Sequence, residues 1–77
     1  MTIDNETLNA IKAAFAAGNG ALAFELAPEW WMDKSREAYV ERSAAIDVFW
    51  HSLPEQIRRQ ASEGFWPRWN EYNRGRT

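Results

Sequence analysis

Asp47, His51 and Glu55 follow one another at four-residue intervals. On one unbroken helix that spacing would align three side chains able to hold a metal ion, and Asp47 beside His51 could tune a general base. The row is interrupted by Ser52-Leu53-Pro54-Glu55, a serine followed three residues on by glutamate with proline in the first turn. That pattern has the form of a capping box and marks a helix boundary between His51 and Glu55. His51 is therefore expected as a structural or surface histidine near a helix end. With no cysteine and a single histidine, a zinc site has no donor set, and neither metal nor cofactor is expected. Phosphate-binding loops, the dinucleotide fingerprint and the nucleophile elbow are missing as well. Gly18-Asn19-Gly20 contains a GxG, but it joins two helical stretches and reads as a turn. No nucleophile, base and orienting group can be named together, and 77 residues leave little room for a cleft between paired carboxylates. Catalysis is not expected.

The aromatic residues carry more information. Five Trp, four Phe and two Tyr make up 14% of the chain. Three of these rings' groupings are doublets: Trp30-Trp31, Phe49-Trp50 and Phe65-Trp66. Helical neighbours point about 100° apart, so both members of a doublet cannot sit centrally on a narrow core stripe. One of each pair must lie at a boundary or be exposed, and Trp, Tyr and Arg are the types most enriched in binding hot spots. Two surfaces follow as candidates. Trp30, Trp31 and Met32, framed by Glu29 and Asp33, form an apolar knob edged with acid. Trp66, Arg68, Trp69 and Tyr72 form a second surface near the C-terminal end, where cations and rings interleave as they do in single-strand stacking platforms.

The elements that must position these residues are helical. Asp4 can cap a first helix, with Ile3 meeting Leu8 as a hydrophobic staple and Leu8, Ile11 and Phe15 forming its stripe. Gly18 suits the left-handed stop. A short second helix over 21–27, with Leu22 and Leu26 on one side and Phe24 close by, folds back as a helical hairpin and is limited by Pro28. Pro28 to Met32 is a connector or single turn. The longest helix opens at Asp33 or Ser35 and runs to about Ser52. Its inner stripe is Tyr39, Ile46, Phe49, Trp50 and Leu53, with Arg36, Glu37, Glu41, Arg42 and Asp47 on its other sides. A fourth helix is predicted over 54–63, stopped by Gly64, and a last short one from Pro67. No alternating strand pattern occurs. The fold class predicted is all-α, a compact single-domain bundle of four to five short helices over 1–73, with a frayed tail over 74–77.

Size and charge narrow the function. A chain this short forms one domain of marginal stability, which bulky rings can reinforce where disulfides cannot. Net charge is −2 and the sequence pI about 5.3, which gives no global attraction for nucleic acid or anionic lipid. Residues 1–33 carry a net −4 and residues 54–77 a net +2, and seven of the nine cations are Arg. The N-terminal residues lack the basic region and apolar run of a secretory signal, and no stretch approaches the length of a membrane span, so a cytoplasmic location is expected.

The functional reading favoured is a non-catalytic module that binds another protein, as a stoichiometric inhibitor or adaptor. Small acidic proteins of this kind are common, as a class, among phage and mobile-element products that block a host protein or nucleoprotein complex, anti-CRISPR proteins included. The alternative is a small helical protein that binds nucleic acid through the C-terminal Arg and aromatic residues, although nucleic acid is disfavoured as the main ligand by the acidic balance. Self-association as a two-fold dimer is the remaining way to cover surplus rings.

Overall fold

Asp4 opens the first helix as expected: its carboxylate accepts the Thr7 N–H at 2.7 Å. The structure, a computed structural model, describes residues 3–75. Helix α1 (Asn5–Ala16) buries Ile11, Ala14 and Phe15, with Ile3 and Leu8 packed at the margin of the same core. Gly18 ends it at φ 74°. Its N–H bonds the Phe15 carbonyl at 2.9 Å and the Asn19 N–H reaches the Ala14 carbonyl at 2.8 Å, the paired bonds of a Schellman stop. Asn19 then caps helix α2 (Gly20–Glu25), its side chain accepting the Leu22 N–H at 3.1 Å.

Helix α2 turns inward the face that carries Phe24 rather than the side shared by its leucines. Gly20, Ala23 and Phe24 are buried, while Leu22 and Leu26 are more than a third exposed. The reason is close approach to helix α5 (Glu55–Gly75). A methyl group built on Gly20 would stand 1.7 Å from the Ala61 carbonyl oxygen, and one on Gly64 would stand 3.1 Å from the Ala21 nitrogen. The two backbones touch, and only small residues fit between them.

Helix α3 (Pro28–Met32) is a single turn begun by proline. Helix α4 (Arg36–Ser52) is capped by Ser35, whose hydroxyl accepts the Ala38 N–H at 3.2 Å. Here two expectations are corrected. Tyr39, assigned to the inner stripe, is 66% exposed, because the inner face is centred on Ala38, Arg42, Ala45 and Phe49 and leaves position 39 at its edge. Glu41 and Arg42, assigned to the outside, turn toward α3. The Glu41 carboxylate accepts the Trp30 indole N–H at 2.5 Å, and one Arg42 nitrogen donates to the carbonyls of Trp30 at 2.6 Å and Asp33 at 2.8 Å. These are carbonyls at the end of a helix too short to satisfy them itself.

The predicted boundary after His51 holds, but not as a capping box. Ser52 is the last residue of α4, and its hydroxyl donates to the Phe49 carbonyl at 2.6 Å. Beyond Pro54, α5 continues unbroken for 21 residues through Gly64 and Pro67, in place of the two short helices predicted. Gly64 is retained for the crossing with α2, and Pro67 lies on the exposed side. Arg74 and Gly75, expected in a frayed tail, are still helical; 76 and 77 lie outside the described residues.

The five helices form a small all-α domain with no strand among the described residues. One core joins Ile11, Phe15, Ala23, Phe24, Trp30, Met32, Ile46, Ala61 and Phe65. The Cα radius of gyration is 11.9 Å, close to the roughly 11.5 Å of a compact chain of this length. No helix is long and apolar enough to cross a membrane among the described residues.

Candidate functional site

Phe15 from α1 and Phe65 from α5 stand at the centre of an aromatic cage. Their ring centroids are 6.0 Å apart. Trp50 from α4 meets Phe15 edge-on at 5.2 Å, and Trp31 from α3 meets Phe65 edge-on at 5.0 Å. Trp66 continues the series, 5.0 Å from Phe65 and 5.9 Å from Trp69. Edge-to-face pairs at these separations are favourable beyond the area they bury, and each ring restrains the next.

The cage is open on one side. Between α4 and α5 lies a cleft of about 320 Å³ lined by Phe15, Trp31, Ile46, Trp50, Ser62, Phe65 and Trp66. Phe15, Ile46 and Phe65 form its floor, being more than nine-tenths buried; Trp31 and Trp50 are half-buried, and Trp66 is 53% exposed at the rim. Ser62 supplies the sole hydroxyl of the lining, and no charged side chain lines it. A concave, mainly apolar surface with one or two polar groups is the usual form of a recognition site.

A recess of about 340 Å³ adjoins this cleft and shares Trp50 and Ser62 with it; Glu55, Arg58 and Arg59 complete its lining. Glu55 is engaged by Arg59 at 3.4 Å. The Nε of half-buried Arg58 is shielded from solvent and finds no hydrogen-bond acceptor among the described residues. An unsatisfied buried donor costs about 1–3 kcal/mol, and more when it is charged.

Several residues predicted for the site lie elsewhere. Trp30 is 1% exposed and Met32 is buried, so the apolar knob does not exist as a surface. Trp30 locks α3 to α4, and Trp31 donates its indole N–H to the Ala23 carbonyl at 3.0 Å while its ring reaches the cleft. Asp33 accepts the Ser35 N–H at 3.0 Å. That backbone bond, followed by the Ser35 hydroxyl, lowers its carboxyl to about 2. Glu29 accepts the Tyr72 hydroxyl, which ties the first predicted surface to the second.

The second surface is divided by α5 itself. Trp66 belongs to the aromatic cleft, whereas Arg68 and Tyr72 line a separate groove of about 450 Å³ with Phe24, Glu25, Pro28, Glu71 and Gly75. Arg68 is paired with Glu25 at 3.3 Å, Tyr72 packs edge-on against Phe24 at 5.6 Å, and Trp69 is half-buried. Compared with protein-family models, curated proteins and solved structures, the chain matches none, so its own geometry carries the functional reading.

Cleft residues overlooked in the sequence are Phe15, Ile46, Trp50, Ser62 and Phe65, and Arg58 was overlooked in the adjoining recess. The Phe49-Trp50 and Phe65-Trp66 doublets did signal rings at a boundary. What the pattern lacked was the splay of α4 from α5 that opens a space between them. A further apolar strip, Val40, Ala44 and Val48, lies on the outward side of α4, with Val48 82% exposed. It is the surface of a single helix, and only Val40 borders a recess, an open one shared with Lys34, Ser35, Arg36 and Tyr39.

Proposed function

We propose that this chain is a non-catalytic interaction module that receives an apolar side chain of a partner protein in the cleft between α4 and α5. The observation that carries the reading is the half-open cage of Trp31, Trp50 and Trp66 over Phe15, Ile46 and Phe65. Its rings are held by one another and by the core, so little ordering entropy is lost on binding. No acid, base or nucleophile stronger than Ser62 faces the cleft, which suits recognition rather than reaction. A stoichiometric inhibitor or an adaptor in the cytoplasm would both use such a surface.

Binding of single-stranded nucleic acid through the C-terminal segment has weaker support. Arg68 and Tyr72 already face Glu25 and Glu29, and Glu71 lines the same groove.

The test is selection of binding peptides from a displayed random library against the full chain, followed by titration on variants. Trp66→Ala should weaken the selected peptides about 30-fold, the loss typical of a hot-spot ring. Ser62→Phe, which fills the cleft, should abolish binding while circular dichroism stays native. Equal affinity for the wild type and both variants would remove the cleft from consideration.

A further inference from the structure

We infer that Arg58 is the anion-recognising end of the aromatic cleft, so that the partner presents a carboxylate side chain directly beside its apolar anchor. This rests on the cleft being the binding surface. The distinguishing feature is that Arg58 is uncommitted. Elsewhere on α5, Arg59 is paired with Glu55, Arg68 with Glu25, and Arg74 has a partner of its own. Arg58 has no carboxylate within ion-pair distance among the described residues, and its Nε is buried without an acceptor.

Position adds to this. Arg58 lies one helical turn before Ser62 on α5, and both line the recess that opens beside Trp50. Ser62 and Trp50 also line the cleft, so a ligand leaving the cage meets the guanidinium next. With Nε turned inward, the terminal nitrogens of the guanidinium are the face left to a ligand, and they can take a carboxylate end-on with two parallel hydrogen bonds, a geometry unavailable to lysine. Glu55 would oppose an incoming acid, but its charge is balanced by Arg59. The occupant that satisfies both parts is a protein segment carrying an aromatic or aliphatic anchor with Asp or Glu close by.

The experiment uses the full chain and the peptides selected on it, each made also with its acidic residue changed to the amide. Calorimetric titrations compare the wild type, Arg58→Met, Arg58→Lys and Trp66→Ala. Removing the acid should weaken binding to the wild type about tenfold or more, the range of a charge-assisted hydrogen bond. The same change should have less than about a twofold effect on Arg58→Met, because the interacting partner is gone. Arg58→Lys should fall between them. Arg58→Met removes a buried donor without an acceptor, so its melting temperature should equal or exceed that of the wild type, keeping the comparison free of unfolding.

If peptides require Trp66 but lose nothing with Arg58→Met, or if they carry no acidic residue, the role of Arg58 is wrong and the cleft stands. If peptides are indifferent to Trp66 as well, both are wrong.

Discussion

Gly20 shows how much one missing side chain can decide. The Ala61 carbonyl, the Ala61 carbonyl carbon and the Phe65 nitrogen all crowd the place where its Cβ would be, and all three are backbone atoms that no rotamer change can move. Gly20→Ala must push α2 off α5, and a loss of at least about 3 kcal/mol is expected, the upper part of the range for overpacking. Gly64→Ala faces a single nitrogen at 3.1 Å and gains helix propensity of about 1 kcal/mol, so it should fall within about 1 kcal/mol of the wild type. Urea melts of the two variants check the contrast; a loss under about 1 kcal/mol for both would mean that the helices do not cross closely at these residues. Acid sensitivity also resolves to single residues. Asp33 is lowered to about 2 and Asp4 is lowered too, each chiefly by a backbone N–H, from Ser35 and Thr7 respectively. A carboxyl depressed in the folded state contributes stability that is complete above about pH 4 and is lost as pH falls toward 2. Asp33→Asn keeps an acceptor for Ser35 but no charge. Its melting temperature should be below that of the wild type at pH 7, and the gap should narrow between pH 4 and pH 2. A gap independent of pH would mean that the charge contributes nothing.

Most helix ends were legible from short-range chemistry, the capping role of Ser52 excepted, and helix continuity was not. Asp4, Gly18 and Ser35 act through bonds spanning three to five residues, and each does what its type and neighbours predict. Gly64 and Pro67 also carry strong local signals, for a stop and a start, yet α5 runs through both. Contact with α2 outweighs the glycine signal, since Gly64 is where the helices meet. Proline is tolerated because its ring lies on the exposed side, and Gly64, three residues earlier, has no side chain to resist a local opening of the turn. The helix still lacks the bond that residue 67 would make to Glu63. Pro67→Ala should restore it and stabilise the domain by about 1–3 kcal/mol, read as a higher urea midpoint at unchanged slope. A lower midpoint would show that the proline shapes α5 in a way the core requires.

At the scale of the whole molecule, five indoles are divided between holding the fold and facing outward, and composition alone could not say which did which. The sequence implied that some rings exceed the needs of the interior; their distribution depends on how α4 and α5 diverge, a property of packing rather than of any segment. Trp30 is enclosed and bonded to Glu41, whereas Trp66 stands at the rim of the cleft. Replacing a buried Trp by Ala costs about 3–5 kcal/mol. A domain of this length is stable by only about 4–12 kcal/mol, so Trp30→Ala should lose at least about a quarter of that stability, read as a large drop in the urea midpoint. Trp66→Ala, which removes a half-exposed ring, should cost about 1 kcal/mol or less and leave the helical spectrum unchanged. Acrylamide quenching then separates the classes in the folded protein. Wild-type fluorescence should contain an accessible component, and Trp66→Ala should lose most of it, because the other indoles are buried or half-buried. If quenching is the same with and without Trp66, that ring is covered in solution, by a second copy or by closure of α4 onto α5. Measuring the quenching across protein concentration separates the two, since only covering by a second copy is relieved on dilution.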